Sequence, residues 1–286
     1  MNDGPARSKW THALIAVAAA LLLVSCVPKP ASAPREGAVL HHEFLAHPDD
    51  RTRRVEIFWM RPVGAGPWPA IVFLHGQQDA PRQGGRVFVD WGVLAATAAR
   101  GYVGIAVSQP GYGDSEGPAD FCGPSTQGAV AGVIEHFRSQ AFVIPGSVAI
   151  EGISHGAVVA ALVATHDARL GAIVLISGVY DLSAIPPGPI ADAMRREGVV
   201  TRQDLDDRSA LIAADRIKAA TLILNGAKDD LTFPDQARAL AARIQAHGTA
   251  AKAVIYSEFG HAIPPPVRAK EIDPFLAEHL ARARPD

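Results

Sequence analysis

From Val55 onward the chain alternates two hydrophobic patterns. Short apolar runs, continuous or alternating, recur at 55–60, 70–74, 103–107, 148–151, 172–176, 221–224 and 253–256. Their length and branched aliphatic content predict strands. Between them lie stretches with apolar residues at helical spacing, at 88–99, 127–138, 157–166, 234–247 and 274–283. Alternation of this kind predicts a mostly parallel sheet, because each parallel crossover needs a covering helix. The rhythm breaks at 183–215, which opens on Pro186-Pro187-Gly188-Pro189 and continues through a charged, helical-looking piece. It is read as a small cap insertion, or else as a long surface connection.

The first residues follow a different pattern. Arg7 and Lys9 precede a run of Ala, Leu, Val and Ile from Ala13 to Val24, the pattern of a secretory signal. Such a run of about 12 residues spans roughly 18 Å as a helix, well short of a bilayer core of about 30 Å. Its end, Leu23-Val24-Ser25-Cys26, resembles a bacterial lipoprotein box, in which cleavage precedes the cysteine and the cysteine is lipidated. Cleavage near Ala31-Ser32-Ala33 is the alternative. The expected organisation is a signal peptide over 1–25, a Pro/Ala/Ser-rich tether over 26–37 and one catalytic domain over 38–286. The protein is then exported and held at the membrane of a bacterial cell envelope by a lipid on Cys26.

Composition narrows the partners. Hydrophobic residues make up 48% of the chain and aromatics only 6%, which suits a sheet buried on both faces. The net charge of −2, without long blocks of one sign, provides no electrostatic footprint for nucleic acid. The expected partner is a small-molecule ester or a short peptide. Besides Cys26 the only cysteine is Cys122, so a lipidated Cys26 leaves no disulfide framework.

The chemistry centres on Gly152-Ile153-Ser154-His155-Gly156. A predicted strand precedes it and an Ala/Val-rich helix follows, the context of a nucleophile elbow. The sharp turn lifts the serine hydroxyl above the sheet, and the glycines leave room where side chains would clash. A serine hydroxyl also needs a base to take its proton and a carboxylate to orient that base. The strand 221–224 ends in Asn225-Gly226-Ala227-Lys228-Asp229-Asp230, and either acid has the right place. The last strand is followed by a loop ending in His261. The order serine, acid, histidine is that of the α/β hydrolases and not of the unrelated serine proteases. The amide of His155, next after the nucleophile, is one oxyanion donor.

These residues resemble the α/β-hydrolase superfamily over roughly residues 40–283. His75-Gly76, the elbow and Pro110-Gly111-Tyr112-Gly113-Asp114-Ser115 carry the likeness, together with the acid and His261. Within it the chain is most similar to dienelactone-hydrolase-like and prolyl-oligopeptidase-like catalytic domains, partly through Ser177-Gly178-Val179-Tyr180-Asp181-Leu182. The resemblance implies an eight-stranded sheet with helices on both faces. It also favours Asp229 over Asp230, since the acid of such proteins lies three residues after the glycine that ends the strand. By the same likeness the second oxyanion donor is the Gln77 amide, and His75 braces its loop. Two departures matter. Dienelactone hydrolases use a cysteine where Ser154 stands, and prolyl peptidases carry a propeller for which the residues before His75 leave no room.

The expectation is therefore a carboxylic ester hydrolase working through an acyl-enzyme, with Ser154, His261 and Asp229 as its catalytic residues. A prolyl-type serine peptidase ranks second, and a catalytically silent binding lipoprotein is the alternative outside the enzymes. No cofactor is implied. His41, His42 and His47 cluster in sequence without the partners of a metal site and are read as surface residues.

Overall fold

The computed structural model describes residues 37–280; the signal, Cys26 and nearly all of the tether lie outside them. One eight-stranded sheet organises these residues. Its strands are β1 (His41–Ala46), β2 (Arg54–Met60), β3 (Trp68–Leu74), β4 (Val103–Val107), β5 (Val143–Ile153), β6 (Ala172–Ile176), β7 (Ala220–Gly226) and β8 (Ala251–Tyr256), in the spatial order β1-β2-β4-β3-β5-β6-β7-β8. From β4 to β8 every neighbouring pair is parallel, while β1 and β2 add an antiparallel edge. Apart from Trp68 at the start of β3, the strands β3, β4 and β6 are buried throughout, as strands covered on both faces must be.

Successive side chains on each strand enter two separate cores. Val72, Leu74 and Ile150 share one with Phe137, Val159 and Leu240. These come from helices α3 (Pro124–Arg138), α4 (His155–Ala164) and α7 (Pro234–Ala246). Ile71, Phe73 and Ala149 share the other with Phe88, Leu94, Ile272 and Leu276, from α1 (Arg86–Asp90), α2 (Val93–Ala99) and α8 (Pro265–His279). The alternation in the sequence thus became an α/β sandwich with helices on both faces. Each aliphatic side chain buried this way contributes about 1.5–3 kcal/mol relative to exposure.

Three elements differ from the sequence expectation. Strand β1 was not among the apolar runs, because as an edge strand it alternates half-buried and exposed positions and carries His41 and His42. The helix expected over 88–99 is two helices: Gly92, in the left-handed region at φ 71°, ends α1 and starts α2 on a new axis. Helix α8 begins at Pro265, well before the expected start at Pro274, which lies inside it. The fixed φ of Pro265 suits a first turn. The backbone bond that Pro274 cannot make is offset by burial of Ile272 and Leu276 against the sheet.

The insertion between β6 and β7 contains α5 (Pro189–Arg196) and α6 (Arg202–Asp206), the latter opened by a Thr201–Asp204 capping box. It docks on the turn before α3. The Arg208 guanidinium donates to the carbonyls of Asp120 and Phe121, and Glu197 accepts from the Phe121 amide.

Candidate active site

The turn between β5 and α4 is as sharp as the motif requires. Ser154 sits at φ 54° and ψ −116°, outside the regions that a serine occupies freely. A Cβ on Gly152 would stand 2.2 Å from the Gly156 carbonyl oxygen, and one on Gly156 would stand 2.2 Å from that of Leu74. Neither position tolerates a side chain. The Ser154 amide donates to the Ile176 carbonyl at 2.7 Å and ties the turn to β6. Every residue of α4 is buried, which explains why this helix is apolar all round.

The acid arrives from the turn after β7. A Cβ on Gly226 would lie 2.2 Å from the Gly260 carbonyl oxygen, so only glycine lets this turn and the His261 loop touch. Asp229 is buried and Asp230 is exposed. One carboxylate oxygen of Asp229 accepts from the amides of Leu231 and Thr232, and the other from the Thr232 hydroxyl at 2.6 Å. Burial alone would raise this carboxyl, but hydrogen bonds from His261 and Thr232 outweigh it and hold the group below the usual carboxylate value.

His261 links the two. Its Nδ1 is 3.0 Å from Asp229 Oδ2 and its Nε2 is 3.0 Å from Ser154 Oγ. A carboxylate only accepts, so Nδ1 carries the proton and Nε2 faces the serine hydroxyl with a lone pair. The Ser177 hydroxyl donates to the His261 carbonyl at 2.9 Å and holds the loop in place. Sequence reasoning missed Ser177 and Thr232 as parts of this arrangement. Signals were present in retrospect: a serine straight after β6, and a threonine within reach of the Asp229 side chain.

The loop after β3 closes the other side. A Cβ on Gly76 would be 3.3 Å from Ser154 Cβ, so the backbone leading into Gln77 passes close over Ser154. His75 is buried beneath it. Its Nδ1 donates to the Gly76 carbonyl at 2.8 Å, its Nε2 accepts from the Gln109 amide, and its ring packs on Tyr112. The His155 ring is buried against Tyr112 and the edge of Phe121. Cys122 is a free, buried thiol whose S–H reaches the His155 carbonyl.

Burial lowers both imidazoles, His75 to about 4 and His155 to about 3. In the unfolded chain each would titrate near about 6.5. The unfolded state therefore binds more protons below that value, and stability is lost as pH falls from about 6.5 toward the folded values. Each such histidine costs up to about 1.4 kcal/mol per pH unit over that window. Melting curves should accordingly show Tm falling from pH 7 to pH 4, with a shallower fall in His155→Phe. An identical slope in the variant would show that His155 is not the source.

Among the described residues no group of three or more His, Cys, Asp or Glu side chains is placed to hold a metal ion. Of the three N-terminal histidines, His47 is not on the surface as read from the sequence. It is buried, with Nε2 against the Ser125 carbonyl at 2.9 Å, because the turn after β1 folds back onto α3. His41 stacks on Trp59, and His42 bonds to Glu56.

In front of Ser154 and His261 opens a cavity of about 340 Å³, walled by Gln77, Val87, Phe88 and Trp91. Its size is within the range of small-molecule sites, about 300–1,000 Å³. No residue of the insertion lines it.

The profile of the prolyl oligopeptidase family matches residues 127–282, and that of the X-Pro dipeptidyl-peptidase (S15) family matches residues 51–188. No curated protein sequence matches significantly. Among solved structures, the acylaminoacyl peptidase of Pyrococcus horikoshii is similar at a TM-score of 0.70 and 18% identity, over 87% of this chain and 43% of its own. Porphyromonas gingivalis dipeptidyl peptidase 4 is similar at 0.71 and 16%, over 85% of this chain and 36% of its own. An acetyl xylan esterase from Paenibacillus sp. R4 is similar at 0.69 and 18%, over 87% of this chain and 86% of its own. The chain thus spans less than half the length of these peptidases and most of that of the esterase. At these identities the likeness is one of fold.

Proposed function

The chain belongs to the prolyl oligopeptidase family, and on that footing we propose that it is a serine peptidase that cleaves short peptides through an acyl-enzyme. The observation that carries this reading is the hydrogen-bonded series Ser154 Oγ, His261 Nε2, His261 Nδ1, Asp229 Oδ2, with both links at 3.0 Å. Ser154 Oγ attacks the carbonyl carbon as His261 Nε2 takes the hydroxyl proton. The oxygen, now negative, is held by the amides of Gln77 and His155, each donor worth roughly 10²- to 10³-fold in rate. His261 then gives its proton to the departing amine, and the acyl group stays on Ser154. Water repeats the sequence with His261 again as base, and Ser154 is released. Asp229 orients His261 and stabilises its cationic form. No step calls for a cofactor.

Family membership reverses the order of substrates reached from sequence, where esters ranked first. A second reading, ester hydrolysis, is favoured by the near full-length match to the acetyl xylan esterase. Dipeptide p-nitroanilides and p-nitrophenyl esters separate the two. Turnover of anilides that disappears in Ser154→Ala is the expected result. Turnover of esters with none of any anilide would overturn the peptidase reading in favour of the second.

We also propose that the domain is anchored outside the cytoplasm by a lipid on Cys26, on the strength of Leu23-Val24-Ser25-Cys26. Among the described residues no helix is long and apolar enough to cross a membrane. Cys26→Ser should move the protein from the membrane to the soluble fraction, and unchanged fractionation would defeat the proposal.

A further inference from the structure

Trp91 is hard to explain by folding. It caps the C-terminus of α1 with 54% of its surface exposed, while its neighbour Phe88, in edge-to-face contact at 5.9 Å, is 2% exposed. A large exposed aromatic side chain leaves most of its burial free energy unrealised, and such surfaces mark binding sites. The break at Gly92 leaves Trp91 at the end of α1, so that Val87, Phe88 and Trp91 form one apolar wall of the cavity that contains Ser154 and His261.

Proton movement decides which half of a substrate enters there. In the attack by Ser154 the carbonyl oxygen turns toward the donors of the His75-Gly76-Gln77 loop. The departing atom must receive the proton carried by His261 Nε2, so it lies on the His261 side of the carbonyl carbon. The acyl remainder takes the third direction. The His261 loop and α1 lie over the same face of the sheet, where Ile263 shares one core with Val87 and Phe88, whereas α4 packs on the opposite face. The cavity between that loop and α1, bordered by the oxyanion loop at Gly76 and Gln77, is thus on the leaving-group side.

Resting on the acyl-enzyme reading above, we infer that Trp91, Phe88 and Val87 form a subsite for an apolar leaving group, a hydrophobic amine in a peptide or a hydrophobic alcohol in an ester. Trp91 is the specificity-determining residue at its mouth. Selectivity for the leaving group then belongs to acylation alone, because that group has gone before water attacks.

One acyl group should be offered as its methyl, isobutyl, benzyl and naphthylmethyl esters, whose alcohols differ little as leaving groups but widely in apolar size. For the wild type kcat/KM should rise at least about tenfold along the series, the gain expected of a few added methylenes in an apolar pocket. Trp91→Ala should flatten that rise and Trp91→Phe should keep part of it, with the change confined to acylation and absent from the decay of the common acyl-enzyme. A flat wild-type series, or a Trp91→Ala variant that alters discrimination among acyl groups of a single methyl-ester series, would overturn the assignment. Failure of the underlying reading looks different: no acyl-enzyme burst and no fluorophosphonate label on Ser154. Trp91 is at the surface, so its substitution leaves the core intact.

Discussion

Ser154→Ala is expected to abolish turnover, by about 10⁶-fold in kcat, the loss seen when the nucleophile of such a triad is removed. The variant should also take no fluorophosphonate label, because the label forms its bond with Oγ. Little else should change. Alanine keeps the Cβ and the backbone requirement of the elbow, and the Ser154 amide still reaches the Ile176 carbonyl. The lost hydrogen bond to His261 Nε2 faces an open cavity where solvent replaces it, so stability should change by about 1 kcal/mol or less. Labelling of Ser154→Ala equal to wild type would place the nucleophile elsewhere. A wild-type protein that takes no label at all would support the catalytically silent alternative.

Much of the site was legible because its parts are local. The nucleophile elbow is a strand, a turn and a helix in immediate succession, and both glycines of the motif answer to contacts within that unit or to the adjacent β3. His261 lies 107 residues from Ser154 and yet could be named, since the serine, acid, histidine order of the α/β hydrolases assigns the base to the loop after the last strand. The choice between Asp229 and Asp230 was of another kind. Two adjacent acids in a turn have the same chemistry, and only the turn's path decides which one points inward. Thr232 and Ser177 escaped notice because a hydroxyl that steadies a neighbour leaves no periodic or charged signature. The two-helix form of 86–99 escaped for the opposite reason: the apolar spacing continues through Gly92, and only the left-handed backbone there shows the change of axis. That break leaves Trp91 at the end of α1, in the wall of the cavity in front of Ser154.

Asp229→Asn is expected to lower kcat by about 10⁴-fold while leaving the geometry in place. The hydrogen bonds around this side chain specify how the amide would sit. Oδ1 accepts from two backbone amides, those of Leu231 and Thr232, so the carbonyl oxygen of asparagine takes that position. The amide nitrogen must then occupy the position of Oδ2, facing His261 Nδ1 and the Thr232 hydroxyl. There it donates to Nδ1 and forces the imidazole proton onto Nε2. Nε2 then presents a hydrogen to Ser154 Oγ in place of a lone pair, and the base is lost although no atom has moved far. The cationic imidazole formed during attack also loses its counter-charge. Asp230→Asn is the control: an exposed carboxylate outside the Ser154–His261 hydrogen bonds should change kcat by no more than about twofold. Equal losses in the two variants, or a larger loss from Asp230→Asn, would assign the orienting role to the wrong side chain. The pH profile adds a readout that misfolding would not mimic. Activity of Asp229→Asn should recover toward high pH, where removal of the Ser154 proton by hydroxide substitutes for the missing base, whereas a merely unstable variant would lose activity across the whole range.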